Sequence, residues 1–90
     1  MKKTLITVIG KDNVGITARV CTFLADNNIN ILDINQSIVQ GFFTMMMIVD
    51  STNATKDFAA LSKEIGEVGE TLGVKIKMQR EEIFDVMHRI

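Results

Sequence analysis

The stretch that decides the fold runs from Ile29 to Val49 and reads INILDINQSIVQGFFTMMMIV. Ile, Val and Phe are frequent on both sides of Gln40-Gly41, as is typical of β-strands. A two-residue connection that contains glycine favours a tight hairpin, because glycine readily adopts the positive φ that the turn needs. We therefore predict two antiparallel strands, Ile29–Val39 and Phe42–Val49, joined at Gln40-Gly41.

A strand and a helix are predicted on each side of this hairpin. Before it, residues 2–9 read as a strand, and apolar residues then recur with helical spacing over residues 15–28. After it, residues 58–72 form a second helical pattern, Gly73 is a suitable C-cap, and residues 74–79 alternate as a strand does. The two helical stripes consist of Ile16, Val20, Phe23 and Leu24, and of Phe58, Leu61, Ile65, Val68 and Leu72.

This order predicts the α+β class and a ferredoxin-like βαββαβ sandwich. Right-handed crossovers place both helices on one face of an antiparallel four-stranded sheet. Residues 1–80 form this single domain, and residues 81–90 are an amphipathic tail of the same domain. The tail predicts a short C-terminal helix with the apolar positions Ile83, Val86, Met87 and Ile90.

The composition excludes several function classes. The chain has 90 residues, 47% of them hydrophobic, and a net charge of −1, so a general nucleic-acid binder with a basic face is not expected. The apolar run after Lys2-Lys3 ends at Gly10, which is short for a secretory leader, and no stretch is long enough to span a membrane. The single Cys21 fits a reducing compartment. We therefore expect a cytoplasmic protein that contacts no membrane.

The loop between the first strand and the first helix reads GKDNVGIT from Gly10 to Thr17. A nucleoside triphosphate loop would need lysine where Ile16 stands, so we predict no such ligand here. The start of a helix presents unpaired N–H groups that can bind a carboxylate, and Asp12 could then accept from an ammonium group. The simpler interpretation is that Asp12 or Asn13 only caps the helix and Gly15 relieves crowding.

Two motifs resemble the ACT domain, a small-ligand regulatory module. They are Asp12-Asn-Val-Gly15 in the loop and LADNNINI over residues 24–31, and the resemblance covers about residues 3–80. Val14 departs from the family pattern, which usually has proline there. The whole chain looks like a group of small bacterial proteins that consist of a single ACT domain.

The resemblance implies regulation by a bound small molecule, commonly an amino acid, held where two domains meet. Its ligand-binding positions are the loop and helix start of one domain and the second strand of its neighbour. Here these positions are Asp12, Asn13, Val14, Gly15, Ile16, Asn30 and Ile31. Asn30 also has a simpler interpretation as a polar residue that enters a strand. A protein partner that responds to the ligand is a further expectation.

A homodimer is predicted from the distribution of apolar residues. The strand from Phe42 to Val49 is apolar on both faces, whereas two helices can cover only one face of the sheet. A monomer would therefore leave an apolar patch in water, which usually marks a partner surface.

The sequence is also compatible with a protein–protein interaction module that binds no ligand and, less well, with an RNA-binding domain of the same topology. An RNA-binding domain would need a basic residue where Gln40 stands and a second stacking aromatic where Thr44 stands. We expect no catalysis, cofactor or metal, because the sequence has no nucleophile motif and no residues at the spacing of metal ligands. The run Met45-Met46-Met47 cannot converge on one ion in a strand, and the lone His88 is assigned to a helix end.

Overall fold

The computed structural model describes residues 2–11 and 14–80. It contains six regular elements, which follow one another in the predicted order. They are β1 (Lys3–Lys11), α1 (Ile16–Asp26), β2 (Asn30–Val39), β3 (Phe42–Asp50), α2 (Phe58–Leu72) and β4 (Val74–Arg80). The C-terminal helix predicted for residues 81–90 lies outside the described residues.

The strands form one antiparallel sheet in the order β2-β3-β1-β4. The hairpin between β2 and β3 turns at Gln40 (φ 51°) and Gly41 (φ 81°), as predicted from the glycine at this position. The crossovers through α1 and α2 place β1 in the centre beside β3. This arrangement confirms the ferredoxin-like fold.

The core lies between the helices and one face of the sheet. Along β3, Met45 and Met47 are fully buried against the helices, whereas Met46 between them is 48% exposed. We call the face that carries Met46 the open face, because α1 and α2 lie on the other side. The buried core residues include Ile6 and Val8 of β1, Ile16, Val20 and Leu24 of α1, Leu61 and Ile65 of α2, and Ile76 and Met78 of β4.

Helix α2 continues through its two glycines to the C-cap Gly73 (φ 75°). Gly69 is buried against β4, and a Cβ at this position would lie 2.8 Å from the carbonyl oxygen of Val74. The glycine therefore allows the helix to approach the strand. The packing explains a residue that would otherwise cost a helix about 1 kcal/mol relative to alanine.

Within the described part of the chain, no helix has the length and apolar character needed to cross a membrane.

Candidate functional site

The two glycines of the first loop, Gly10 and Gly15, are each required by the backbone, but for different reasons. At Gly10, a Cβ would lie 2.7 Å from Cγ1 of Val74, so glycine allows β4 to pair closely with β1. At Gly15, φ is +89°, in the left-handed region that glycine adopts at little cost. Strand pairing at Gly10 and the positive φ at Gly15 are thus sufficient reasons for the two glycines, and a phosphate-binding role is not needed to explain them.

Helix α1 begins at Ile16, and Gly15 is its N-cap residue. The sequence offered Asp12 and Asn13 as caps, but they lie outside the described residues. Among the residues that are described, no side chain accepts a hydrogen bond from the first turn of α1. The first N–H groups of a helix have no acceptor within the helix itself, so this end presents donors to its surroundings.

At this helix start, we expect a ligand to contact backbone N–H groups and not side chains. The Ile16 side chain is only 2% exposed and belongs to the core, so its N–H group is the part that a ligand could meet. Val14 is 98% exposed at the tip of the loop. The Gly15 carbonyl already accepts from the Arg19 N–H at 2.9 Å, which fixes the first helical turn.

Asn30 and Ile31 lie at the other end of the sheet. Asn30 pairs with Asp50, which pairs with Lys3 at the start of β1, whereas the loop follows Lys11 at the end of β1. Eight steps along a strand correspond to roughly 26 Å. Within one chain, the structure therefore brings Val14, Gly15 and Ile16 together and places Asn30 and Ile31 far from them.

The first turn of α1 lies over β2. The Thr17 hydroxyl donates to Oε1 of Gln36 at 3.3 Å, which connects the helix start to the middle of the edge strand. The sequence analysis did not select either residue. The sequence contained a signal for Gln36, because this polar residue lies between Ile34 and Ile38 on the face of β2 that is directed toward the helices.

Strand β2 is an edge strand with exposed apolar residues on both faces. Ile34 and Ile38 point to the helix side, and Val39 points to the open face. These three side chains are between 41% and 64% exposed. The register shifts between Ile31 and Asp33, so Leu32 lies in an irregularity near the start of the strand. A long apolar edge of this kind is usually covered or paired in a native protein.

The Asp50 carboxylate, at the end of β3, is held by the residue that begins the next loop. The hydroxyl of Thr52 and then its backbone N–H donate to Oδ1 of Asp50 and hold the pKa of this carboxyl below its ordinary value. This network stabilises the junction between β3 and the connection to α2.

A family model described as the ACT domain matches residues 2–79. The chain belongs to the ACT domain family. ACT domains are typically regulatory domains that bind small molecules. The resemblance found in the loop and at residues 24–31 is therefore confirmed across almost the whole chain.

Two relatives of this ACT domain match it over nearly their whole length, and a third protein shares its fold. A UPF0237 protein from Bifidobacterium longum is 57% identical over 90 residues, which are 100% of both chains. A solved ACT domain protein from Streptococcus pneumoniae is 43% identical, with a TM-score of 0.82 over 92% of this chain and 93% of that one. A putative glycine cleavage system transcriptional repressor shares the fold at 21% identity, with a TM-score of 0.75 over 88% of this chain and 45% of that one.

The sulfur-containing residues of this ACT domain belong to its packing. Met45 and Met47 are buried while Met46 faces outward, so the three side chains point to two sides, as predicted. Cys21 is partly buried and packs against the core. The described residues contain no cluster of three or more His, Cys, Asp or Glu side chains suited to a metal ion. His88 lies outside the described residues.

The open face of the ACT domain carries an apolar patch on its two central strands. The patch consists of Ile9, Phe42, Met46 and Ile48, which are between 38% and 56% exposed. Phe42 is the only aromatic residue on this face among those that the structure describes. Phe43 is 5% exposed and points into the core.

Proposed function

We propose that this ACT domain binds an amino acid or a similar small carboxylate at the start of α1, and that it does so as a homodimer. The observation that carries the proposal is the helix start at Gly15, where no described side chain caps the first turn. The proposed role is regulatory binding without catalysis, in the cytoplasm. A protein partner would then respond to the occupied state.

The chemistry of the helix start matches the two ends of an amino acid. The N–H groups of the first turn and the positive end of the helix dipole favour a carboxylate. Gly15 has no side chain, so a ligand can approach its backbone. Asp12 precedes Gly15 by three residues and is the proposed acceptor for the ligand ammonium group.

A second copy of the chain would complete this site. If two β2 strands pair antiparallel about a two-fold axis, the Asn30 end of one strand lies beside the Val39 end of the other. The Val39 end is also the loop end, because Val39 pairs with Phe42 and Phe42 pairs with Lys11. The partner's Asn30 and the partner's Ile31 would thereby reach the same end of the joint sheet as the loop.

The exposed surface of β2 supports this edge pairing. Ile34, Ile38 and Val39 are exposed along this unpaired edge, and a long apolar edge is usually covered or paired in a native protein. The hydrogen bond from Thr17 to Gln36 places the α1 start directly above this edge. Edge pairing would therefore bring the helix start close to the second chain.

An interaction module without a ligand is the second candidate function, and the apolar patch of the open face favours it. RNA binding is less favoured, because the open face offers Phe42 alone among the described residues for base stacking. The net charge of −1 also supplies little attraction for phosphates.

Calorimetric screening of the amino acids and common nucleotides against the full chain tests the ligand proposal. We expect a small zwitterion or carboxylate to bind and magnesium-ATP to show no binding at the loop, since Ile16 replaces the phosphate-binding lysine. Magnesium-dependent ATP binding that is lost in Gly15→Val would contradict the assignment. If no amino acid or small carboxylate binds, the interaction module becomes the better function.

Light scattering tests the dimer and its geometry. We expect the wild-type mass to be twice the 10.0 kDa of one chain. Ile38→Asp places a charge on the β2 edge and should dissociate the pair, whereas Met46→Asp on the open face should leave it intact. The opposite result would show that the open faces pair, and the site would then not be assembled from two edges.

A further inference from the structure

A cavity of about 540 Å³ opens at the end of the sheet opposite the first loop. We call it the basal cavity. Its size falls within the range of small-molecule sites in proteins. It is lined by Lys2, Lys3, Thr4, Ser51, Thr52, Ala54, Lys56, Asp57, Phe58, Leu61 and Arg80.

The basal cavity concentrates positive charge in a chain whose net charge is −1. The described residues that line it include four cationic residues, Lys2, Lys3, Lys56 and Arg80, and one acidic residue, Asp57, which together carry a net charge of +3. The Asp57 carboxylate accepts from the Ala60 N–H at 2.9 Å, so it is engaged as the cap of α2. This imbalance favours an anionic ligand with more than one negative charge.

The polar residues that line the cavity belong to a hydrogen-bond network between the start of β1 and the loop after β3. The Lys2 N–H donates to the Thr52 hydroxyl at 2.8 Å, and the Ser51 N–H donates to the Lys2 carbonyl at 2.8 Å. The hydroxyls of Thr4 and Ser51 lie 3.2 Å apart, and Thr4 is 2% exposed. The network fixes the backbone from which the lysine side chains extend.

One wall of the cavity is apolar and carries a positioned arginine. The guanidinium carbon of Arg80 lies 4.6 Å from the centroid of the Phe58 ring. Stacking uses the face of a guanidinium and leaves the N–H donors in its plane for an anion. Leu61 and Ala54 extend the apolar wall. A ligand with an anionic group and an organic body would therefore find a surface for each part.

Lys56 forms an ion pair that an anionic ligand can replace. Its Nζ lies 2.7 Å from Oε1 of Glu64, and both side chains are substantially exposed to solvent, at 46% and 35%. Exposed ion pairs of this kind contribute little, typically below about 1 kcal/mol. A dianion in the cavity would offer Lys56 a stronger partner.

We propose that the basal cavity binds a small phosphate monoester. The phosphate lies among Lys2, Lys56 and Arg80, and the organic group packs on Phe58 and Leu61. A phosphate dianion matches the multiple cations, and its oxygens suit the planar fork of arginine. The site is roughly 26 Å of strand away from the first loop and is independent of the proposed amino-acid site.

Phenyl phosphate and inorganic phosphate are the probes for this proposal, titrated into the full chain by calorimetry and amide NMR. We expect phenyl phosphate to bind with a dissociation constant below about 1 mM, and more tightly than inorganic phosphate. The amide signals of Lys2, Ser51 and Thr52 should shift, while those of Gly15 and Ile16 should not. Binding should weaken as the pH falls through about 6, where the phosphate dianion becomes protonated.

Charge-matched variants decide whether the cavity carries the binding. Lys2→Gln and Lys56→Gln should each weaken phenyl phosphate binding about tenfold, the loss of one charge-assisted hydrogen bond. Lys63→Gln removes the same charge from an exposed position of α2 outside the cavity and should change affinity by less than about twofold. Equal losses in all three variants, absence of binding to wild type, or signals that move at Gly15 instead would overturn the proposal.

Stability of the variants does not limit this experiment, because all three lysines are exposed. If one variant unfolds, the wild-type signal map and its pH dependence still decide between the cavity and another location. Failure of the amino-acid screen would not affect the result, since the two sites lie at opposite ends of the sheet.

Discussion

The two helices of the domain begin in different ways. At the start of α2, the Asp57 side chain accepts from the Ala60 N–H at 2.9 Å. At the start of α1, the N-cap is Gly15, and no described side chain accepts from the first turn. The same kind of backbone donor is thus used by a side chain at α2 and by none of the described side chains at α1. The α2 start is therefore stabilised by its own cap, and the α1 start is the one that we propose binds a ligand.

Replacement of Gly15 should give the largest change, both in the free energy of unfolding and in ligand binding at the α1 start. Gly15→Val places a β-branched residue at φ +89° and should cost about 1–3 kcal/mol in the free energy of unfolding. It should also abolish amino-acid binding by filling the approach to the backbone. Urea unfolding and calorimetry measure the two effects.

Gly66→Ala is the matched control on α2. Its Cβ would meet no atom within 4 Å, and an alanine in a helix should raise the free energy of unfolding by about 0.5–1 kcal/mol. A Gly15→Val protein as stable as wild type would show that the α1 start relaxes to another conformation.

Removal of the proposed ammonium acceptor should have the next largest effect. Asp12→Ala should weaken amino-acid binding by about 1.5–3 kcal/mol, the contribution of a charge-assisted hydrogen bond. Calorimetry with the ligand identified by screening gives the value. Asp57→Ala is the control, because it removes the same side chain from the other helix start. Asp57→Ala should bind as wild type does. If Asp12→Ala also binds as wild type does, the ligand does not contact Asp12.

Removal of the α2 cap should affect folding rather than binding. Asp57→Ala should lower the free energy of unfolding by about 0.5–2 kcal/mol, since the Ala60 N–H loses its acceptor. Asp57→Asn keeps a capping oxygen and should restore most of this loss. Denaturant unfolding of the three proteins measures the difference. An unchanged midpoint in Asp57→Ala would mean that water caps the helix equally well.

The smallest expected effect concerns the pKa of Asp50 near the loop before α2. Thr52→Val removes the side-chain donor that contributes most to the lowered pKa, so this pKa should rise toward its ordinary value. A carboxyl with a depressed pKa stabilises the fold above its unfolded-state pKa, and this stability is lost as the pH falls through the folded-state value. The variant should therefore lose less stability on acidification.

An NMR titration of the Asp50 carboxyl carbon measures this shift. Thr55→Val is the control, because its hydroxyl contacts Asn27 instead of Asp50. A titration curve of Asp50 that is identical in Thr52→Val and wild type would refute the assigned cause.

The sequence was sufficient for the fold because its strongest signals are local. Alternation along β3 predicted that its three consecutive methionines do not share one face, and Gln40-Gly41 predicted the hairpin turn. The role of Gly69 is not visible in the sequence, since a glycine usually weakens a helix but here packs against β4. Only the tertiary structure shows that contact.

The candidate sites were less predictable for the same reason. The loop was found from its motif, whereas its N-cap depends on the backbone angle of Gly15, which the sequence does not display. The basal cavity draws its cations from Lys2-Lys3, Lys56 and Arg80, which are far apart in the chain. No local pattern connects them, and they meet only because β1, β4 and the α2 start share one end of the sheet.

The distance between the loop and Asn30 in one chain has a consequence for how ligand binding would respond to concentration. Under the proposed function, a single chain would carry two incomplete halves of a site, and a two-fold pair would carry two equivalent complete sites. Ligand binding and self-association are then thermodynamically linked, so each must strengthen the other by the same factor. Dilution of the protein should release ligand even at a constant ligand concentration. Such a protein would report the product of two concentrations, its own and that of its ligand.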